Sequence, residues 1–109
     1  MNIEMIAGNT KEIRIQVTDG AGVPVDLSGY VARWGLFKPH GGDALVSKAS
    51  TTGGIDISQA ASGLLLVNLA AAETDGLSGL YLHECEVEGP GGEVETVVQG
   101  EVRVAEKRL

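Results

Sequence analysis

His83 and Cys85 stand two residues apart in "YLHECEVE". On a strand this spacing puts an imidazole and a thiol on one face, and both are ligands a zinc ion takes. A structural zinc needs four ligands. Cys85 is the only cysteine, and His40, the other histidine, lies in a predicted loop. A paired-thiolate site and an internal disulfide are thus both excluded. The face that holds His83 and Cys85 also holds Tyr81 and Val87, so the pair reads as core side chains. Glu84, Glu86 and Glu88 alternate with them, and Glu93, Glu95 and Glu101 follow. Paired carboxylates do glycosidase chemistry when they flank a cleft. Alternating along a hairpin, they read as a solvated sheet face. Asp19, Asp26, Asp43 and Asp56 offer oxygens to calcium, but no dense Asp-x-Asp-x-Asp run gathers them, and turn or cap roles account for each. No serine sits in a Gly-x-Ser-x-Gly elbow, and "KPHGGDA" lacks the Lys-Ser/Thr of a phosphate-binding loop. The chain therefore reads as a non-enzyme with no catalytic, cofactor or metal site.

The elements that must position these residues are strands. "KEIRIQVTD" sets Ile13, Ile15 and Val17 on one face and Glu12, Arg14 and Gln16 on the other. "YVARWGLFK" puts Tyr30, Ala32, Trp34 and Leu36 on one side, which predicts that Trp34 is a central core residue. "DALVSKAS" and "GIDIS" are shorter candidates, and "GLLLVNL" is nearly all apolar. In "EVETVVQGEVRVAE", Val94, Thr96, Val98, Val102 and Val104 share a predicted face, with a bulge or bend expected at Gly100. Only "NLAAAETDG" has helical character, ending at Gly76. About seven or eight strands with turns every ten residues or so predict an all-β, antiparallel sandwich or small barrel with at most one short helical turn.

The stretch "VTDGAGVPVDLSGY", residues 17–30, reads as a corner between two sheets. Asp19 and Gly20 supply a turn in which glycine takes positive φ. Pro24 suits an edge, and Val23 and Val25 pin the segment to the core. Asp26 and Ser28 bond nearby amides and turn the chain again at Gly29. Leucines give the other anomaly. If Leu65, Val67 and Leu69 face the core, Leu64 and Leu66 face out, and Leu80 and Leu82 face out opposite Tyr81, Cys85 and Val87. Outward leucines predict contact surfaces.

The 109 residues make a single domain, 1–109, and carry a formal charge of −7 with 43% hydrophobic and 21% charged residues. Nucleic acid is excluded as a partner by the missing basic footprint, and anionic membranes by the same argument. No apolar run approaches the ~20 residues of a spanning helix. "MNIEMIAGNTKEI" lacks the basic and apolar regions of a signal peptide, which predicts a chain that stays or assembles in the cytoplasm.

Three groups of residues resemble the Ig-like β-sandwich domains of tailed-phage virion proteins, nearest to the N-terminal domain of upper baseplate proteins. They are Asp19, Gly22 and Pro24 to Gly29; then Leu69, Thr74, Asp75, Leu77, Gly79 and Tyr81; then Thr96, Val97, Gly100 and Val102. The resemblance spans about residues 11 to 105. It implies an Ig-like topology, with Tyr81 as a tyrosine corner that bonds back to the backbone. The antibody-type cysteine two residues later is replaced by His83. It further implies a structural subunit of a phage or prophage virion, in tail, baseplate, fibre or neck. The partners would be copies of itself and other virion proteins, met in the cytoplasm of a bacterial host. A carbohydrate- or surface-binding sandwich is the alternative, disfavoured because Trp34, Tyr30 and Tyr81 read as core and leave Phe37 alone for sugar stacking.

Overall fold

Alternation of apolar and polar side chains dictates two faces per strand, and burying the apolar faces against each other makes a sandwich. A computed structural model describes all residues from Met1 to Leu109. Its strands are β1 (Ile3–Ile6), β2 (Lys11–Gln16), β3 (Val31–Phe37), β4 (Val46–Ala49), β5 (Ile55–Asp56), β6 (Leu64–Leu69), β7 (Gly79–Glu88) and β8 (Val94–Ala105). One sheet has the order β1-β8-β7-β3-β4; the other has the order β2-β6-β5. The second sheet matches the B-E-D set of an Ig domain, and β8-β7-β3 matches G-F-C. The fold is an all-β, Ig-like sandwich.

Three details depart from the sequence reading. The strand β1 was not anticipated, and it runs parallel to β8, with Ile3 opposite Val102 and Met5 opposite Val104. All other strand pairs are antiparallel. A four-residue alternation at the chain start is too short to read locally, and its partner lies at the far end of the sequence. Helical turns number three: α1 (Ala71–Thr74) and the 3-10 turns Ser50–Thr52 and Ala60–Ser62. Gly76 follows α1 at φ 80°, as a helix terminator should. The irregularity in β8 lies at Val97. Cys85 pairs with Val98 and Glu86 with Thr96, so Val97 is the extra residue. The bulge reverses the parity upstream of it. Val94 and Thr96 therefore turn away from the side of Val98, Val102 and Val104, and Val94 is exposed.

Trp34, Ala32 and Leu36 are buried at the centre, as predicted. They meet Cys85, Val87, Val102 and Val104 of their own sheet and Ile13, Ile15, Ile55, Leu65, Val67 and Leu69 of the other. Leu27 joins the cluster from the corner.

Residues 17–30 do carry the chain from β2 in one sheet to β3 in the other. The Asp19 carboxylate accepts from the amides of Ala21 (2.8 Å) and Val23 (3.0 Å). Thr18 and Pro24 form a bridge, and the Val25 amide donates to the Val17 carbonyl at 3.0 Å. Positive φ falls on Gly22 (80°) and Gly29 (82°), not on Gly20. The Asp19 carboxylate folds the loop over itself, which delays the left-handed residue to Gly22. Val23 is exposed, whereas Leu27 is the anchor: it is buried, and its amide donates to the Ala60 carbonyl at 2.9 Å. The Asp26 carboxylate accepts from the Ser28 amide at 2.9 Å, and its pKa is lowered first by the Ser28 hydroxyl and then by that amide.

Candidate functional site

The outer face of the five-stranded sheet is divided into two ends by its residue order. At one end, Arg33 of β3 donates to Glu86 (3.2 Å) and Glu88 (3.1 Å) of β7. The Thr96 hydroxyl donates to Glu84 at 3.1 Å. This is the solvated acidic face expected of alternate glutamates, neutralised in part by one arginine. At the other end the outward residues become apolar. Phe37 pairs with Leu82, Leu82 with Glu101, and Leu80 with Arg103. Leu80 and Leu82 are exposed at 37% and 39%, and Ile6 of β1 is exposed on the same face.

Two open grooves flank these leucines. One, of about 460 Å³, lies between Phe37, Leu82, Glu84, Gln99 and Glu101. The other, of about 580 Å³, runs between Ile6, Leu80 and Arg103. The Phe37 ring lies over Gly35, where a Cβ would stand 2.7 Å from it. Gly35 thus lets an aromatic ring lie flat on the sheet at the groove wall.

Leu64 and Leu66 correct the expectation of a second outward patch. They do lie opposite Leu65 and Val67, but each is only 9% exposed. The strand β6 is central in its sheet, so register sets Arg14 and Asp56 on either side of Leu66, and Gln16 beside Leu64. The Gln16 amide reaches past β6 to donate to the Ser62 carbonyl at 2.8 Å. Long polar neighbours cover apolar side chains on a middle strand with their stems.

Beneath the Phe37–Leu82 groove sits His83, which is 2% exposed. The Trp34 indole N–H donates to His83 Nδ1 at 3.1 Å. Nδ1 is therefore an acceptor, the ring proton is on Nε2, and Nε2 donates to the Met1 carbonyl at 2.7 Å. The Met1 ammonium in turn donates to the Gln99 carbonyl at 2.9 Å. Burial lowers the His83 pKa and outweighs the bond to Met1; the nearby ammonium lowers it further. This imidazole is committed at both nitrogens, a poor state for a base or a ligand. Cys85 is fully buried, and burial, with Glu86 nearby, pushes its thiol up to about 12. A thiol in that state is inert. No group of three or more His, Cys, Asp or Glu side chains is placed to hold a metal ion. No helix is long and apolar enough to cross a membrane.

Gly100 was expected at a bulge and has another role. A Cβ there would overlap the Met1 carbonyl and stand 3.1 Å from His83 Nε2. Glycine lets the chain start lie on β8. Tyr81 behaves as a tyrosine corner should: the Ser78 amide donates to its hydroxyl at 3.0 Å.

Two contacts had no sequence signal. The Lys48 ammonium of β4 donates to the Glu73 carboxylate at 2.6 Å, and Glu73 also accepts from the Ala70 amide at 2.8 Å. Lys48 first, then Ala70, lowers the Glu73 pKa. The buried Thr74 hydroxyl accepts from the Gly8 amide (3.0 Å) and donates to the Asn9 carbonyl (2.7 Å), tying the β1–β2 loop to α1. Thr74 belongs to the junction that carries the family resemblance, where its physical role was not apparent.

In comparisons with known proteins, no family model matches the chain, and no curated protein matches it in sequence.

Proposed function

We propose that this protein is a non-enzymatic structural subunit of a tailed-phage or prophage virion, in tail, baseplate, fibre or neck, and that it works by protein–protein assembly. The observation that carries the reading is the apolar end of the outer sheet face, where Leu80, Leu82 and Ile6 are exposed on a face otherwise lined with charge. Outward apolar residues clustered on a sheet mark a contact site. The Ig-like strand order and the three motif groups support the virion assignment. The reactive side chains are engaged elsewhere, His83 by Trp34 and Met1 and Cys85 by the core. Virions purified from a lysate and probed with an antibody to the chain test the proposal. Co-migration with intact particles is the expected result, and its absence from particles while abundant in the lysate overturns it.

A second reading, a carbohydrate- or surface-binding module, is favoured by one observation. Phe37 walls a groove whose other sides carry Glu84, Gln99 and Glu101. A ring beside carboxylates and an amide is the equipment for stacking and hydrogen-bonding a sugar. Glycan-array binding that is lost in Phe37→Ala would establish it.

A further inference from the structure

We propose that the free edge of β2 pairs with β2 of a second copy, in one register, to form a two-fold dimer. The proposal rests on the assembly reading and adds to it which edge and which alignment are used.

Backbone direction comes first. The Asn68 amide donates to Gly54, on the β5 side of β6. Amide directions alternate along an antiparallel strand, so Leu65, Val67 and Leu69 serve β2. Their register partners Ile15, Ile13 and Lys11 use their own backbone groups on β6. The Val17 amide continues the pattern by donating to the Gly63 carbonyl at 2.8 Å. Glu12, Arg14 and Gln16 therefore point their N–H and C=O groups away from the sheet. β2 has β6 as its only strand partner. At six residues it is the longest edge strand in the molecule; β1 and β4 have four and β5 has two. It contains no proline and no bulge, two of the devices that blunt an edge, and the charges it does carry, Lys11, Glu12 and Arg14, are of both signs.

Charge selects the partner and the register. An added antiparallel strand must bring bonding residues opposite bonding residues. For two copies of β2, the alignment with Ile13 opposite Ile13 puts Glu12 of each copy opposite Arg14 of the other. Glu12 and Arg14 are both well exposed, at 50% and 63% of their side chains, and they already lie 3.4 Å apart within one chain. Moving the partner one step either way along the ladder brings Arg14 against Arg14 or Glu12 against Glu12. Like charges directly opposite are destabilising, and opposite charges are stabilising. One alignment thus satisfies the backbone and both charge pairs, and neighbouring alignments are disfavoured. The result is an isologous contact that continues β5-β6-β2 across the axis into the partner's sheet.

The test is sedimentation equilibrium on the full chain and three samples: Glu12→Arg, Arg14→Glu, and an equimolar mixture of the two. Both substitutions are on exposed positions and should leave the fold intact by circular dichroism. The expected result is a wild-type dimer, with dimerisation weakened on the order of tenfold or more in each single variant. The mixture restores it, because a Glu12→Arg copy meets an Arg14→Glu copy with opposite charges at both pairs. Two outcomes overturn the proposal. A wild-type chain that is monomeric at concentrations of about 1 mM has no such edge contact. A wild-type chain that associates equally in all variants uses another surface, which sinks the β2 register and leaves the assembly reading standing. A chain found in purified particles but monomeric alone likewise separates the two.

Discussion

Trp34 and His83 are joined at 3.1 Å, with the indole N–H donating to an imidazole nitrogen in the interior of the sandwich. The bond joins β3 to β7 and, through the second ring nitrogen, reaches the Met1 carbonyl. It requires His83 to be neutral, because a protonated Nδ1 has no lone pair to accept the indole proton.

Stability should follow that requirement. His83 has a lowered pKa when folded, against 6.5 as its ordinary value. The unfolded chain binds the proton more readily, so the contribution is complete above about pH 6.5 and is lost as pH falls through the folded value. Urea midpoints measured from pH 8 to pH 5 should therefore decline on the acid side. In His83→Gln the decline over that range should flatten, since Asp26, Asp56 and Glu73 have lowered values and lose their stabilising ionisation only at more acid pH.

Gly100→Ala should detach the start of β1 without disturbing β7 against β8. A Cβ would overlap the Met1 carbonyl, breaking its bond to His83. The loss is about 1–3 kcal/mol, the cost of an unmade buried hydrogen bond. Hydrogen exchange should accelerate at residues 1–6 and stay slow in β7.

The two leucine pairs should separate cleanly. Leu66→Ser removes a covered side chain and should cost about 2–4 kcal/mol. Leu82→Ser sits on an exposed surface and should change stability by no more than about 0.5 kcal/mol. Thermal melts of the two variants check the difference. Equal losses would mean that Leu82 is held by a partner or by its own chain.

Lys48→Met should lower the urea midpoint, by the equivalent of roughly 1.5–3 kcal/mol of stability, as expected for a hydrogen bond to a charged group. The ammonium is mostly enclosed and bonds Glu73 beside α1. Arg33→Met removes contacts that are open to solvent, and should have a smaller effect that shrinks further in salt.

The sequence made the middle strands legible because their alternation is local. Ile13 and Ile15, Trp34 and Leu36, and the inward set of Cys85 and Val87 all face where periodicity puts them. Besides β1 and the contacts of Glu73 and Thr74, three features of the sheet faces escaped it. The bulge at Val97 has no proline or glycine to announce it, and one extra residue moved Val94 and Thr96 to the other face. Leu64 and Leu66 were assigned the right side, but their cover comes from residues on β2 and β5 that pattern alone does not place. The apolar end of the outer face was foreseen in Leu80 and Leu82. The contribution of Phe37 and Ile6 depends on register across β3, β7, β8 and β1.

The parallel pairing of β1 with β8 has a mechanical consequence. The chain enters beside Gln99 and leaves past Ala105, with the two terminal strands running in the same direction side by side. Tension applied through the two ends pulls Ile3–Ile6 and Val102–Ala105 past each other along their length. Every rung of that ladder then resists together, whereas a hairpin pulled from its open end would yield one rung at a time. Under an atomic-force probe attached at both ends, the domain should hold to a single sharp rupture, and Gly100→Ala should lower its force.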